Sequence, residues 1–342
     1  MTVPSRKSRQ VNVAVAGLGF MGVTHLRAYL GNSRARIVAV CDAVRLPENG
    51  LLRGVAGNIK KSGDLRLGPQ VRVYRQFDEL LADREVELVD ICTPTALHPA
   101  QAIAALKAGK HVLCEKPLAR NSADARKVLK AAAAAKTFLM PAMCMRFWPG
   151  WRGLKKIVAE KMYGAVLAAN FRRLSALPAW GPAGVPAGGA LFDLHIHDTD
   201  FVNFLFGRPQ RVFSTGVLGQ GGVVNHVVTQ YHFPGGPAVG AEGSWLLASG
   251  FSLGFTIQCE RATLDFDLAR GAEALRVNEA GKRPRTMKLE AGDGYDAELR
   301  YFVECAARGK RPEIVTARDA VTALEICEAE EKSVRTGRPV RT

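Results

Sequence analysis

The stretch Val11–Leu30, "VNVAVAGLGFMGVTHLRAYL", decides how the first half of the chain is read. Val11 to Ala16 is a short apolar run, as a strand buried on both faces requires. Gly17-Leu18-Gly19-Phe20-Met21-Gly22 follows, and the chain then enters a helical pattern. In a strand–turn–helix unit, Gly17 permits the tight turn, Gly19 lets backbone approach a pyrophosphate, and Gly22 lets the helix pack close to the strand. The first helical turn, which holds Phe20 and Met21, offers unpaired N–H groups and a positive dipole end to phosphates.

Glycine-rich turns also join strands to helices without binding anything. A second strand, "ARIVAVCD" (Ala35–Asp42), tips the balance toward a dinucleotide site. It ends in an acid about 20 residues past the last glycine, where a carboxylate meets the adenosine ribose. Asp42 can accept from a ribose 2′-OH and repels a 2′-phosphate, so NAD is expected before NADP. Arg45 lies near enough to blunt that preference, which keeps NADP open.

Strand and helix patterns then alternate. Strands are expected near Glu87–Cys92, His111–Cys114 and Thr137–Met140, and helices near Pro99–Ala108 and from Ser122. Such alternation implies a parallel sheet covered on both faces, with ligands at the carboxyl ends of its strands. Two of those ends carry chemistry: "CTPTALH" with Thr93, Pro94, Thr95 and His98, and "CEKP" with Glu115, Lys116 and Pro117. Thr93, Thr95 and His98 are expected to line a cofactor cleft, although His98 would serve equally well as a helix cap.

From about Met143 the pattern changes. "GAVLAANFRRLSAL", "RVFSTGVLG", "VVNHVVTQYHF", "AVGAEGSWLLA", "FSLGFTIQCERATLDFDL" and "ALRVNEA" read as strands between Gly- and Pro-rich turns. Several fit antiparallel strands with one wet face. The end returns to helix: Leu299, Phe302, Val303 and Ala306 form one stripe closed by Gly309, and Thr316 and Asp319 form a capping-box pattern.

Between these regions lies "ALFDLHIHDTDFV", Ala190–Val202. It reads as a helix from near Phe192 to Gly207, which places Asp193 and His197 on one face at i and i+4. His195 is turned about 200° from Asp193. An H-x-H pair among carboxylates can bind zinc or iron, but on a helix the two rings diverge, so no metal is expected. A helix cap made by Asp193, with His197 on the surface, is the plain structural alternative.

The bulk properties set limits. The chain has 342 residues, 47% hydrophobic, enough for two packed domains. Its net charge of +15 is spread along the chain with no recognition-helix or base-stacking motif. Nucleic acid is therefore not expected as a partner, whereas anionic cofactors or substrates are favoured. No run is long and apolar enough to span a membrane. Residues 1–10 are basic and polar without a secretory signal's apolar segment, so a disordered tail and a cytosolic location are expected. Seven scattered cysteines, none in a C-x-x-C pair, read as buried thiols.

Taken together, "AGLGFMGVTH", "ICTPTALH", "HVLCEKPLA", "MRFWPGW", "GGALFDLHIHDTDFVNFLFG" and the tail from "DGYDAELRYFV" resemble the glucose–fructose oxidoreductase/inositol dehydrogenase/rhizopine-catabolism (Gfo/Idh/MocA) family. Each motif is weak alone; E-K-P after a strand, followed some 75 residues later by D-x-x-x-H, is specific in combination. The resemblance implies an α/β chain with an N-terminal Rossmann domain (residues 11–142). A C-terminal α/β domain (143–342) would follow, with a large, mostly antiparallel open sheet that often serves oligomerisation. It implies NAD(P)-dependent oxidation or reduction of a sugar, polyol or related hydroxy compound by a homodimer or homotetramer.

The resemblance also supplies roles. Lys116 lies beside nicotinamide and substrate, and Asp193 and His197 complete the catalytic group. Glu115 joins the cofactor-binding set, and Arg146 and Trp180 become candidates for the substrate wall. His195 stands where the family's D-x-G-x-H pattern places glycine; it is assigned to the substrate side and offers a second proton carrier. Family members that use NAD for transient oxidation in glycoside cleavage, a non-catalytic cofactor sensor and a metal-dependent hydrolase are the competing functions.

Overall fold

The computed structural model describes residues 9–55, 63–177 and 188–342. In chain order the first elements are β1 (Val11–Ala16), α1 (Phe20–Leu30), β2 (Ala35–Cys41), β3 (Leu51–Leu52), β4 (Leu65–Arg66) and β5 (Arg72–Tyr74). Next come α2 (Phe77–Ala82), β6 (Leu88–Ile91), α3 (His98–Lys107), β7 (His111–Glu115), α4 (Ser122–Ala134) and β8 (Leu139–Ala142). Then follow α5 (Pro149–Ala159), β9 (Val166–Ala176), a π-helical turn (Leu191–His195), α6 (Ile196–Phe206), β10 (Arg211–Leu218), β11 (Val224–His232) and β12 (Ala238–Cys259). The chain closes with β13 (Ala262–Asp267), β14 (Leu275–Glu279), β15 (Arg285–Thr286), α7 (Gly294–Arg308), α8 (Ala317–Thr336) and β16 (Val340–Arg341).

The first unit holds a six-stranded parallel sheet in the order β5-β2-β1-β6-β7-β8. Strand order reverses between β1 and β6, the crevice at which sheets of this kind bind ligands. β1, β6 and β7 are apolar runs because helices cover both faces; Val13, Val15, Leu88, Val89, Val112 and Leu113 have no exposed surface. The short β5, which the alternation pattern did not show, adds the edge strand next to β2. This unit comprises residues 1–119, 124–144 and 293–317. The sequence pattern suggests one boundary after residue 142, with everything beyond it in the second domain. The structure instead returns α7 to the first unit, because its stripe of Leu299, Phe302, Val303 and Ala306 is buried against α1 and β1. Asp293 caps α7 by accepting from the Asp296 N–H, and Gly309 ends it at φ 64°.

The second unit comprises residues 120–123, 145–292 and 318–342. Its antiparallel sheet runs β15-β14-β13-β12-β11-β10-β16, with β9 paired to β12. β12 turns back near Gly250 (φ 82°), and both of its arms pair with β9: Val239 and Ile257 each lie opposite Ala169. The two strands expected from "AVGAEGSWLLA" and "FSLGFTIQC" are these arms. Along β10 and β11 burial alternates: Val212, Ser214, Val227, Thr229 and Tyr231 face inward, and Phe213, Val217 and Val228 face outward. The helical segment 191–206 packs on the inward face; Phe201 and Phe171 lie edge to face, and both contact the buried Trp151 cluster directly or through Phe255.

Candidate active site

The glycine loop of the first unit is shaped by backbone crowding. Gly17 adopts φ 90°, and a Cβ there would stand 2.5 Å from the Cys92 carbonyl carbon. A Cβ on Gly22 would meet the Gly17 carbonyl oxygen at 1.8 Å, so the start of α1 packs directly on the turn. Gly19 differs: nothing lies within 4 Å of the side its Cβ would occupy. As the N-cap of α1 it brings no capping side chain, and the first turn, with Phe20 and Met21, carries no acid. A bare, open, positive helix end is the surface a pyrophosphate needs.

Asp42 stands beside this loop. Its Oδ2 accepts from the Leu18 N–H at 2.7 Å, and its Oδ1 accepts from the Val44 and Arg45 N–H groups at 2.9 and 2.8 Å. The carboxylate thereby ties the end of β2 to the glycine turn and keeps lone pairs for a ribose hydroxyl. The guanidinium of Arg45 donates to the Arg53 carbonyl oxygen at 2.6 Å.

At the end of β6 the Thr93 hydroxyl donates to Gln101 Oε1 at 2.5 Å, Pro94 is exposed, and Thr95 is half-buried. His98 is buried rather than open to a cleft. Its Nε2 lies 2.7 Å from the Thr93 carbonyl oxygen, and its Nδ1 lies 2.9 Å from that of Pro117. His98 therefore bridges the two chemically loaded loops. Burial lowers its pKa against the pull of both carbonyls, and a neutral ring donates to one of them at a time.

Lys116 follows β7 and precedes a cis peptide bond to Pro117. Glu115, expected in the cofactor set, turns inward instead and is 6% exposed. Its Oε2 accepts from the Lys116 N–H at 2.9 Å, and its Oε1 lies 3.2 Å from His25 Nε2. His25 Nδ1 lies 2.8 Å from Asp90 Oδ2. Sequence reading missed His25 and Asp90. The available signal was an acid in the middle of the apolar strand "LVDI", where a buried parallel sheet has no place for an unpaired charge.

In the second unit the segment expected to be one helix from Phe192 begins as a π-helical turn and becomes α-helical at Ile196. The wider turn suits a functional segment. Asp193 is half-buried and His197 retains 9% exposure, while Leu194, His195, Ile196, Asp198, Thr199 and Asp200 are buried. The remaining acids of the cluster are ion-pair partners. Asp198 accepts two bonds from Arg173, at 2.7 and 3.0 Å, and Asp200 accepts two from Arg146, at 2.9 and 2.6 Å.

Two sequence assignments are corrected here. Arg146 is not a substrate wall: it is 3% exposed, held by Asp200, and within 3.4 Å of Asp319. His195 is not on the substrate side. It has no exposed surface, and its Nε2 lies 3.2 Å from the Tyr231 hydroxyl and 3.4 Å from Glu330 Oε1. Thr199 joins the same group through Tyr231 and Glu330. Gly243 of β12 makes the room: a Cβ there would come within 2.6 Å of the His195 Cβ. A histidine thus fits where the family pattern has glycine because a glycine faces it. Trp180 lies outside the described residues.

A family model described as an oxidoreductase family with an NAD-binding Rossmann fold matches residues 11–143, and the GFO/IDH/MocA C-terminal domain model matches 151–265. A trans-1,2-dihydrobenzene-1,2-diol dehydrogenase of Sus scrofa is 33% identical over 169 residues, 48% of this chain and 50% of that protein. The chain thus spans about half the length of such curated relatives. Myo-inositol 2-dehydrogenase of Thermotoga maritima is 26% identical over 348 residues, 97% of this chain and 98% of that one. Among solved structures, levoglucosan dehydrogenase in complex with NADH and levoglucosan shares the fold at TM-score 0.82 and 22% identity, over 97% of this chain and 99% of that chain. Aldose-aldose oxidoreductase from Caulobacter crescentus does so at TM-score 0.82 and 23% identity, over 98% and 100%.

Proposed function

Because the chain belongs to the GFO/IDH/MocA oxidoreductase family, we propose that it is a nicotinamide-dependent dehydrogenase. It moves a hydride between NAD and a hydroxyl-bearing carbon of a sugar, polyol or related compound. One observation carries this reading: the open Gly19 cap and the Asp42 carboxylate stand at the switch point of the parallel sheet, and Lys116 directly follows β7 of that sheet. The inositol, dihydrodiol and levoglucosan dehydrogenases among its relatives support the substrate class.

In this account the glycine loop with Phe20 and Met21, Asp42, and the β6 loop with Thr93, Pro94 and Thr95 hold the cofactor. The nicotinamide ring supplies the hydride acceptor or donor. Lys116 donates to the alkoxide oxygen that develops as the hydroxyl proton leaves and stabilises its charge until the departing hydride turns it into a carbonyl. His197 takes the hydroxyl proton as a neutral imidazole, a base matched to working pH. Asp193 orients His197 or bonds a substrate hydroxyl. The outward Phe213, Val217 and Val228 support a homo-oligomer, dimer or tetramer, built on the open sheet face. Seven thiols, none in a disulfide, support a reducing, cytosolic setting.

The test is a screen of sugars and polyols with NAD, following reduced nicotinamide. Turnover of one or more compounds, lost in Lys116→Ala and His197→Ala, is the expected result. Turnover at wild-type rate in both variants contradicts the assignment.

A further inference from the structure

His98 opens α3 and is 1% exposed, and both of its ring nitrogens face backbone carbonyls. Nε2 lies 2.7 Å from the Thr93 oxygen and Nδ1 lies 2.9 Å from the Pro117 oxygen. Thr93 stands two residues past the end of β6, and Pro117 two residues past the end of β7. Both carbonyls therefore lie beyond the ladder that joins the two strands. An N-cap side chain accepts from the first-turn N–H groups of its own helix. His98 does the opposite. A carbonyl oxygen only accepts, so each contact draws on a ring N–H, and one of the two oxygens is 19 residues away in sequence. The ring is a cross-link between two strand-end loops rather than a cap. The same helix turn also holds the Thr93 hydroxyl, which donates to Gln101 Oε1 at 2.5 Å.

We propose that His98 is a positioning residue with two separable duties. Its Nε2 bond to Thr93 sets the β6 loop for the cofactor, and its Nδ1 bond to Pro117 sets the loop that presents Lys116 to the substrate oxygen. This inference rests on the roles given above to the β6 loop and to Lys116. The division follows from where each bond ends. The Thr93 carbonyl belongs to the loop after β6, beside the point where strand order reverses. The Pro117 carbonyl belongs to the residue next to Lys116, and a side chain is aimed only as well as its own backbone is fixed. A group that positions others has to be fixed itself. His98 meets that condition: it is buried at the start of a helix whose Ala102, Ala105 and Leu106 are buried too. Neither bond reaches a reacting atom, so removing one costs what a single hydrogen bond contributes and leaves the chemistry in place.

The two bonds can be removed one at a time. The amide nitrogen of Asn takes the place of Nδ1 and that of Gln the place of Nε2, so His98→Asn keeps the Pro117 bond and His98→Gln keeps the Thr93 bond. On the full chain, NADH affinity is read by fluorescence titration, and kcat at saturating cofactor with a compound found in the sugar and polyol screen. His98→Asn is expected to weaken NADH about three- to tenfold with kcat nearly kept. His98→Gln is expected to lower kcat about three- to tenfold with NADH affinity nearly kept. A residue that only fills space would give both variants one profile. The same profile in both, or unchanged NADH affinity in folded His98→Asn, overturns the proposal. Thermal unfolding confirms that each variant is folded. Should one fail to fold, 15N NMR of the His98 ring in wild type carries the test: both nitrogens should show N–H character, through exchanging tautomers or an imidazolium, and a ring locked in one tautomer overturns the proposal because one loop is then unheld. An absence of turnover with every sugar and polyol in wild type would defeat the dehydrogenase reading instead. The NADH titrations and the ring signal need no substrate, so the two failures are distinguishable.

Discussion

His25 and Asp90 form a buried pair, Nδ1 to Oδ2 at 2.8 Å, that joins α1 to the middle of a parallel strand. The pair makes stability depend on pH with a definite sign. The folded His25 pKa lies well above its ordinary value, raised by Cys92 and Asp90 against the opposing effect of burial. Its contribution is therefore full below the ordinary imidazole range and is lost as pH rises through the folded value. Glu115 has the opposite sign: its lowered pKa contributes above the ordinary carboxylate range and is lost as pH falls through the folded value. Urea unfolding across pH should show wild type more stable than His25→Gln at neutral pH, with the gap closing on the alkaline side. A gap that stays constant with pH would show that the pair carries no linkage.

Arg146 is buried against Asp200, and its removal leaves a carboxylate without its cation. Arg146→Ala should lose about 3–5 kcal/mol of stability, and Arg146→Met with Asp200→Leu should lose less than Arg146→Ala alone. Chemical denaturation measures both. Unchanged stability in Arg146→Ala would return this residue to the substrate wall.

His195 and Gly243 share one space. Gly243→Ala should cost about 1–3 kcal/mol in wild type through overpacking, and markedly less in the His195→Gly background. Equal costs in the two backgrounds, read from a double-mutant cycle of unfolding free energies, would show that the two positions are not coupled.

Lys116→Ala and His197→Ala should each lower turnover by at least about 100-fold, the range expected for acid–base and electrostatic groups, with NADH affinity nearly kept. Steady-state kinetics and fluorescence titration separate the two effects. A loss confined to cofactor binding would reassign these residues.

Much of the first unit was legible because its physics is local. Strand, glycine turn, helix and the acid after β2 follow each other within one stretch; Gly17 and Gly22 sit where backbone crowding leaves no room for a side chain, and Asp42 bonds the turn at the Leu18 N–H. The second unit was legible as strands and turns, including the break in β12 at Gly250, although pairing of both arms with β9 is a long-range choice that no local pattern encodes. The helix from near Phe192 to Gly207 is legible in the sequence, but its partners are not. Asp198 and Asp200 stand beside the H-x-H pair in the sequence without visible partners and are ion pairs in the fold, because Arg173 and Arg146 lie 25 and 54 residues away. His195 looks like a second proton carrier until Gly243, Tyr231 and Glu330 come around it. α7 has a clear stripe, yet a stripe does not say which core it joins.

Everything proposed for the first unit depends on its binding NAD(H) through the glycine loop and Asp42. Its most direct test is titration of the purified protein with NADH and, separately, NADPH, followed by nicotinamide fluorescence, in wild type and Asp42→Ala. Saturable binding with NADH preferred is expected in wild type, with that preference lost in Asp42→Ala. Preference for NADPH in wild type would contradict the role given to Asp42, and binding of neither nucleotide would contradict the dehydrogenase reading as a whole.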